Sequence, residues 1–562
     1  MHIEDRAVRA PLDLFHRTYH SLLRSTGEIQ VQALVEPFVA CEPSLHHGAR
    51  EQRPDLAALT YTSLRLPACI ERVRLVLLGQ SHEVFARHGY GSVTNWEPVS
   101  APGRRRKLFY DGDESLAVLI ASPSDLDDLI PMLVAFQIEW NKIHALLSDP
   151  RVGDPAHMEG ERLAAVLGLA HDDIARLRTI WGAGMGERLR EIGRHKKRFA
   201  VRMLGGSLID YERATLRWWL NIERHLAALN LPERPIYFVS SNTHSLINLL
   251  SGFALRNTDE LLAYLNAAEH AGLLAEYEKI RAEQVPSSRE NFFYYVQKKY
   301  QADPASASYF ARRAEAEAAL GIHRVPSRFY IDVDAQVIEL NRLDPSLLDP
   351  RLRVPGVERL RASDALLLNI DYPLGLAAYQ ILKLVARSVG EIRGVYVIGK
   401  AATLNGKIGD VLIPDVVYDE HTGNRYSFVP AFRAADVEPY LAHGSVLDNQ
   451  KALTSRGTFL QNEAFLDALY RDFFTDVEME AGPYLNAIYE QSAAERYPTG
   501  ETISLLRPPF DLGFLHYASD TPYSKGMNLG SRNLSYFGMD PTYATSLAVA
   551  RRIIQQEIVR MG

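Results

Sequence analysis

From residue 365 to residue 562, short apolar runs alternate with amphipathic stretches of helical period. No other feature of this chain constrains its fold as strongly. Residues 365–370, 394–398, 411–417 and 512–518 read as buried strands. Residues 376–387, 465–473, 481–491 and 543–561 carry apolar positions three and four apart, as a helix with one buried face does. Strands separated by helices can lie side by side in parallel, with the helices covering the sheet. The expectation is an α/β domain over residues 326–562, with a mixed or parallel sheet and flanking helices. In such sheets ligands bind beyond the carboxyl ends of the strands.

The first 325 residues read differently. Helical spacing dominates at 13–23, 127–146, 185–204, 211–228 and 258–274. Residues 106–110 and 115–120 flank an Asp111–Gly112 turn and read as a β-hairpin. Residues 236–240 read as a buried strand, and Ser241, Asn242 and Thr243 are placed to cap a helix starting near His244. The aromatic run Phe292 to Tyr295 reads as core. The expectation is a mostly α-helical region over 1–325 with a small β-hairpin and no legible function. The boundary falls near 321–327, where an alanine-rich helix ends at Gly321.

Composition narrows the class. The chain of 562 residues has 62 Lys and Arg against 69 Asp and Glu, a net charge of −7. That balance argues against broad nucleic-acid binding. The only cysteines, Cys41 and Cys69, exclude a disulfide scaffold or a cysteine zinc finger and suit a reducing compartment. No apolar run approaches the roughly 20 residues of a membrane span. No apolar segment follows the charged start as a secretion signal requires. A cytoplasmic protein without membrane or nucleic-acid partners is expected. His46–His47 lacks further ligands at metal spacing, so neither a metal nor a cofactor is expected.

Three segments fall at strand ends or helix starts. The first is Val397-Ile-Gly-Lys-Ala-Ala-Thr-Leu-Asn-Gly-Lys-Ile-Gly-Asp410. The second is Asp476-Val-Glu-Met-Glu480, and the third His516-Tyr-Ala-Ser-Asp520. Small residues from Gly399 to Thr403 let the backbone approach a flat ligand or an anion. Glu480 at a helix start can accept two hydroxyl hydrogen bonds from a sugar. Asp520 at a strand end suits a buried acid. Two carboxylates in one cleft, one protonated and one ionised, suit glycosidic cleavage through an oxocarbenium-like state.

The order and spacing of these segments resemble the nucleoside phosphorylase and nucleosidase superfamily, most closely the catalytic domain of AMP nucleosidase. Leu368-Asn-Ile370 followed by Leu376-Ala-Ala378 resembles the family's early strand and helix. Gly399-Lys-Ala-Ala-Thr-Leu404 with Ile408-Gly-Asp410 resembles its Gly-x-x-Gly-Gly-Leu followed by Gly-Asp. Val477-Glu-Met-Glu480, then Ser519-Asp520, resembles its Val-(Asp/Glu)-Met-Glu and Ser-Asp pair, and Asn528-Leu-Gly-Ser531 also resembles AMP nucleosidase. The resemblance covers roughly the last two-fifths of the chain. It implies that Asp520 protonates or hydrogen-bonds N7 of the leaving purine. Glu480 would bind the ribose hydroxyls, Met479 would pack on the sugar and Phe459 would stack on the base. Lys400 and Thr403 would line the pocket, with Lys525 and Arg532 meeting the phosphate of an AMP-like substrate. The resemblance also implies a homo-oligomer.

Two departures from the family pattern stand out. Its glycine pair in the central loop is here Ala402–Thr403, and its Gly-x-Gly after the early strand is here Asp371-Tyr-Pro373. The family's water-positioning carboxylate, found on the first strand, has no clear counterpart; Asp332, Asp334 and Glu339 are the candidates. The leading reading is a hydrolase of a purine nucleoside or nucleotide. The alternatives are a catalytically altered sensor of a nucleotide or nucleobase, and a phosphate-dependent phosphorylase.

Overall fold

The computed structural model describes residues 3–24, 27–266, 270–285, 287–327, 331–493, 496–521 and 536–562. These described residues form a mixed α/β structure with two sheets. The first comprises β1 (Ile29–Gln30), β2 (Leu75–Gly79), β3 (Glu97–Ala101), β4 (Arg104–Tyr110), β5 (Ser115–Leu119) and β6 (Ala200–Met203), in the order β1-β6-β2-β5-β4-β3. The expected hairpin is β4–β5, paired antiparallel. It lies inside a six-stranded sheet, so the expected mostly α-helical region with a small β-hairpin carries a full sheet. A lone two-stranded hairpin is marginal in water; here β2 pairs in parallel with both β5 and β6 and completes the layer.

Helix Pro123–Leu147 packs with this sheet and is buried along most of its length. It starts at Pro123, four residues ahead of the expected stretch 127–146, with Asp125 in its first turn. Asp125 Oδ2 accepts from the amides of Ala121, at 2.7 Å, and Ser122, at 3.3 Å, and Ser122 Oγ accepts from Ser124 N at 3.3 Å. These bonds satisfy amides that have no partner within the helix.

The second sheet has eleven strands. They are β7 (Pro235–Ser240), β8 (Ile322–Val325), β9 (Ala335–Glu339), β10 (Leu366–Ile370), β11 (Glu391–Thr403), β12 (Val411–Asp419), β13 (Arg425–Phe428), β14 (Val446–Thr454), β15 (Phe474–Glu478), β16 (Thr502–Leu505) and β17 (Asp511–Asp520). At its centre β7 pairs in parallel with β10 on one side and β11 on the other. Every residue of β7 and β10 is buried, as parallel strands covered on both faces require. Five strands close a ring: β11 pairs with β17, β17 with β12, β12 with β14, β14 with β15, and β15 again with β11. Closure removes the open edge that a curled sheet would otherwise expose.

The expected break between 325 and 326 does not coincide with a break in the sheets. β7 belongs to the large sheet, and so do the helices around it. Helix Leu208–His225 packs on helix Ala377–Ser388, and Trp218 Nε1 donates to the Val333 carbonyl at 2.7 Å. Helix Arg289–Tyr300 packs on helix Tyr536–Arg560, with Tyr294 and Tyr543 stacked at 4.8 Å. Phe292 to Tyr295 are buried in that core. Hydrophobic period says that a helix buries one face, not which sheet it covers. No helix among the described residues is long and apolar enough to cross a membrane.

Candidate functional site

β7, β10, β11 and β17 run in the same direction, so their carboxyl ends share one edge. In the ladder Ala402 stands opposite Asp520 of β17 on one side and Val477 of β15 on the other. Neighbouring strands lie about 4.8 Å apart, which puts Asp520 and Val477 roughly 10 Å from each other across β11. The register slips at this row. Ala401 faces Ala518 while Ala402 faces Asp520, so Ser519 is the extra residue of a β-bulge. Its hydroxyl is within 3.4 Å of the Ala401 carbonyl and 2.9 Å of Asp520 Oδ2. The bulge re-aims the strand end that carries the candidate acid.

Glu480 follows Val477 by three residues and precedes helix Ala481–Ser492. Its Oε1 accepts from Gly375 N at 3.1 Å, so it is tied to the loop after β10. Burial raises the Glu480 carboxyl; the Gly375 amide and the charge of Arg104 oppose the rise. Arg104 is itself held by Asp128 Oδ1 at 2.5 Å. Gly375 has a φ of +51°, and a Cβ there would lie 2.3 Å from Ser124 Oγ and 2.6 Å from Ser124 Cβ. The helix of the first sheet thus braces the loop that holds Glu480. Gly375→Ala is expected to cost about 1–3 kcal/mol of stability, read by denaturant unfolding. An unchanged unfolding midpoint would show that the close approach does not exist.

The segments Asp371–Pro373 and Ala402–Thr403 both lie at this edge, after β10 and at the end of β11. Tyr372 Oη lies 3.3 Å from Tyr517 Oη, reaching across from the end of β10 toward β17. Asp371 is paired with Arg105 of β4. Thr403 is buried, and its Oγ1 accepts from Gly406 N at 2.9 Å, which orders the turn after β11. Met479 is half-buried beside Glu480, and Lys400 is exposed. Phe459 is placed elsewhere. It is 1% exposed and packs edge-on to Tyr61 at 5.3 Å and tilted on Phe38 at 6.0 Å. This corrects the base-stacking expectation, because the ring is taken up in the core of the first sheet. Lys525, Arg532 and the stretch 528–531 lie outside the described residues.

The residue after β7 is Ser240's neighbour Ser241, followed by Asn242, and neither is a carboxylate. Asn242 Oδ1 accepts from His244 N at 2.9 Å and Ser245 N at 2.7 Å, capping helix Ser245–Ser251 as expected. Glu339 is corrected as a water-positioning candidate. It pairs with Leu366 at the far end of β10 and is bonded to His323, at 3.1 Å, and Arg342, at 3.2 Å. Asp334 accepts from Ser327 N at 2.7 Å. Asp332 stays on the site side, its carboxyl raised by burial against the pull of Lys107 and Arg105.

Beneath the row lies a buried ionic cluster to which the sequence reading gave no role. His516 Nδ1 is 2.6 Å from Asp476 Oδ2, and both are essentially inaccessible. Glu478 accepts from Thr454 Oγ1, from Glu480 N at 2.5 Å and from Ala481 N at 2.7 Å. Burial alone would lower the His516 imidazole; Asp476, then Glu478 and Glu480, outweigh it and push it up to about 9. Burial pushes Glu478 up to about 8. Positions 476 and 478 share one face of β15 by strand alternation, and that spacing was the available signal. A second group faces the end of β7. His244 is lowered to about 3, first by burial and then by Lys298, Arg313, Arg324 and Lys400. Arg313 and Arg324 are bound by Glu317, and Lys298 is lowered by burial and by Lys400. A surface cavity of about 360 Å³ between Tyr489 and Arg507 touches none of the candidate residues.

DUF6909, a family of unknown function, matches residues 31–555. The sequence matches no curated protein. Among solved structures, S-adenosylhomocysteine nucleosidase from Streptococcus pyogenes, in complex with 5-methylthiotubericidin, is 9% identical over 57% of this chain and 97% of its own, with a TM-score of 0.30. The 5′-methylthioadenosine/S-adenosylhomocysteine nucleosidase of Campylobacter jejuni is 12% identical over 42% of this chain and 92% of its own, with a TM-score of 0.27. Isoform 2 of uridine phosphorylase from Schistosoma mansoni, in complex with citrate, is 13% identical over 32% of this chain and 70% of its own, with a TM-score of 0.24.

Proposed function

The chain belongs to DUF6909, a family of unknown function, and we propose that it hydrolyses the N-glycosidic bond of a purine nucleoside or nucleotide, as AMP nucleosidase does. One observation carries this reading: the bulged Ser519–Asp520 end of β17 shares a row with the strand leading into Met479–Glu480. Asp520 hydrogen-bonds or protonates N7 of the base. Glu480 accepts from the ribose hydroxyls and Met479 packs on the sugar. Water attacks the anomeric carbon as its bond to the base nitrogen breaks, and the electron pair leaves with the base. The water proton is lost to solvent or to a carboxylate on the site side, such as Asp332.

Lys400 and Lys298 give the neighbouring edge a positive charge, which supports a phosphorylated substrate over a free nucleoside. Lys400→Glu is expected to raise KM for a purine nucleotide by roughly tenfold or more and to leave KM for the matching nucleoside within about twofold. Equal effects on both substrates would remove Lys400 from phosphate recognition.

A second reading rests on Tyr372 and Asp371. Their contacts with Tyr517 and Arg105 occupy the place where the nucleoside phosphorylase and nucleosidase superfamily that the sequence resembles has glycines, which supports a catalytically silent sensor of a nucleotide or nucleobase. Incubation with a panel of purine nucleosides and nucleotides, with and without phosphate, separates the readings. Base released without phosphate supports hydrolysis, and base released only with phosphate makes the protein a phosphorylase. A thermal shift without released base selects the sensor. The homo-oligomer implied by the family resemblance is checked by light scattering on the same sample.

A further inference from the structure

Outside this site, helix Ile3–Arg24 brings a second group of side chains to one point. His16 and His20 are four residues apart and so share a face of that helix. Facing them is Asp127 from helix Pro123–Leu147, its side chain 2% exposed. His20 Nε2 is 2.8 Å and His16 Nε2 3.2 Å from the same oxygen, Asp127 Oδ1. Tyr19 Oη donates to that oxygen as well, at 2.6 Å.

A carboxylate oxygen has two lone pairs, and three donors converge on this one. The convergence holds both imidazoles and the carboxylate around one point, an arrangement a bound cation would exploit. The two imidazole nitrogens and the carboxylate oxygen all lie within 4.8 Å of one another. A tetrahedral zinc ion, with bonds of about 2.0–2.2 Å to nitrogen and oxygen, needs its ligands about 3.4 Å apart. Small side-chain movements reach that spacing.

We propose that His16, His20 and Asp127 bind a divalent transition metal of the zinc class. Two imidazoles with one carboxylate suit zinc and its late first-row neighbours, whereas magnesium and calcium prefer all-oxygen sets. The histidine side chains are 22% and 19% exposed, so water can enter and take the fourth position. Tyr19 orients the carboxylate from the outer shell, as partners of metal ligands do. The metal crosslinks the N-terminal helix to the buried helix of the first sheet, replacing hydrogen bonds with two coordinate bonds from one helix face. Spacing along the chain gave no sign of this group, because Asp127 is more than a hundred residues from either histidine. His46, the more visible candidate, is instead buried against Glu139 at 2.6 Å.

The test uses the full chain, stripped with a chelator, dialysed and titrated with cobalt(II) or zinc(II) alone. One cobalt per chain with the intense visible absorption of a four-coordinate site is expected, and zinc should bleach it. Zinc should also raise the thermal midpoint of the wild type. His20→Asn, a part-exposed position, should weaken uptake by at least the 10–100-fold that losing an outer-shell partner costs. His16→Asn should do the same. Asp127→Asn should abolish uptake, and the histidine variants keep the test decisive if that variant fails to fold. Folded, metal-free protein that takes up no cobalt stoichiometrically would overturn the proposal. So would a His16→Asn/His20→Asn double variant that binds as well as the wild type.

Discussion

Asp520→Asn is expected to lose about 10²–10⁴-fold in the rate of glycosidic cleavage while keeping the fold. The amide matches the carboxyl in size, and Ser519 Oγ retains an acceptor in its place. The β-bulge is set by backbone pairing between Ala401–Ala402 and Ala518–Asp520, which the change does not touch. What the amide cannot do is give up a proton to the departing base. Leaving-group activation is therefore lost while substrate positioning by Glu480 stays, so kcat should fall far more than KM rises. The measurement is base release under saturating substrate, with the unfolding midpoint recorded on the same preparation. Turnover within about threefold of the wild type in a normally folded Asp520→Asn protein would remove Asp520 from the chemistry.

Several central elements of the large sheet were legible because their signals are local, whereas β13 to β16 were not read. A run such as Leu366–Ile370 is apolar throughout, and helix Ala377–Ser388 repeats its apolar positions at helical spacing. Sheet membership was not legible. β7 pairs with β10 across well over a hundred residues, and nothing in its own six residues names that partner. The site divided in the same way. Asp520 ends a strand that was readable and Glu480 opens a readable helix, but the strand Phe474–Glu478 that leads to Glu480, antiparallel to β11, was not read. Phe459 was misassigned because an aromatic in a glycine-containing loop reads the same whether it faces a ligand or a core. Its burial depends on Tyr61 and Phe38, contributed by a separate part of the chain. The His516–Asp476 pair was hidden for a related reason: a charge inside a sheet is recognised only when its partner strand is known.

That buried pair makes the stability of the protein depend on pH in a defined direction. His516 is raised from 6.5 to about 9 in the folded chain. A raised histidine contributes its stability in full below 6.5, and loses it as pH rises through 9. At 1.36 kcal/mol per pH unit the loss amounts to about 3 kcal/mol. Glu478, raised from 4.5 to about 8, acts in the same sense over its own interval. Lys197, lowered to about 7 by burial, and Lys107, lowered to about 8, act in the opposite sense above those values. The total slope is therefore a mixture, and the informative quantity is the gap between the wild type and Asp476→Asn. In that variant the imidazole has no anionic partner at 2.6 Å and burial favours its neutral form. The gap should reach about 3–5 kcal/mol at pH 6, the cost of breaking a buried charge pair. It should shrink by about 3 kcal/mol between pH 6.5 and 9, as the wild-type imidazolium gives up its proton beside Asp476. Urea unfolding of both proteins at these two values reads the change directly. A gap that stays constant with pH would mean that His516 is neutral in the folded protein and that Asp476 serves it only as a hydrogen-bond acceptor.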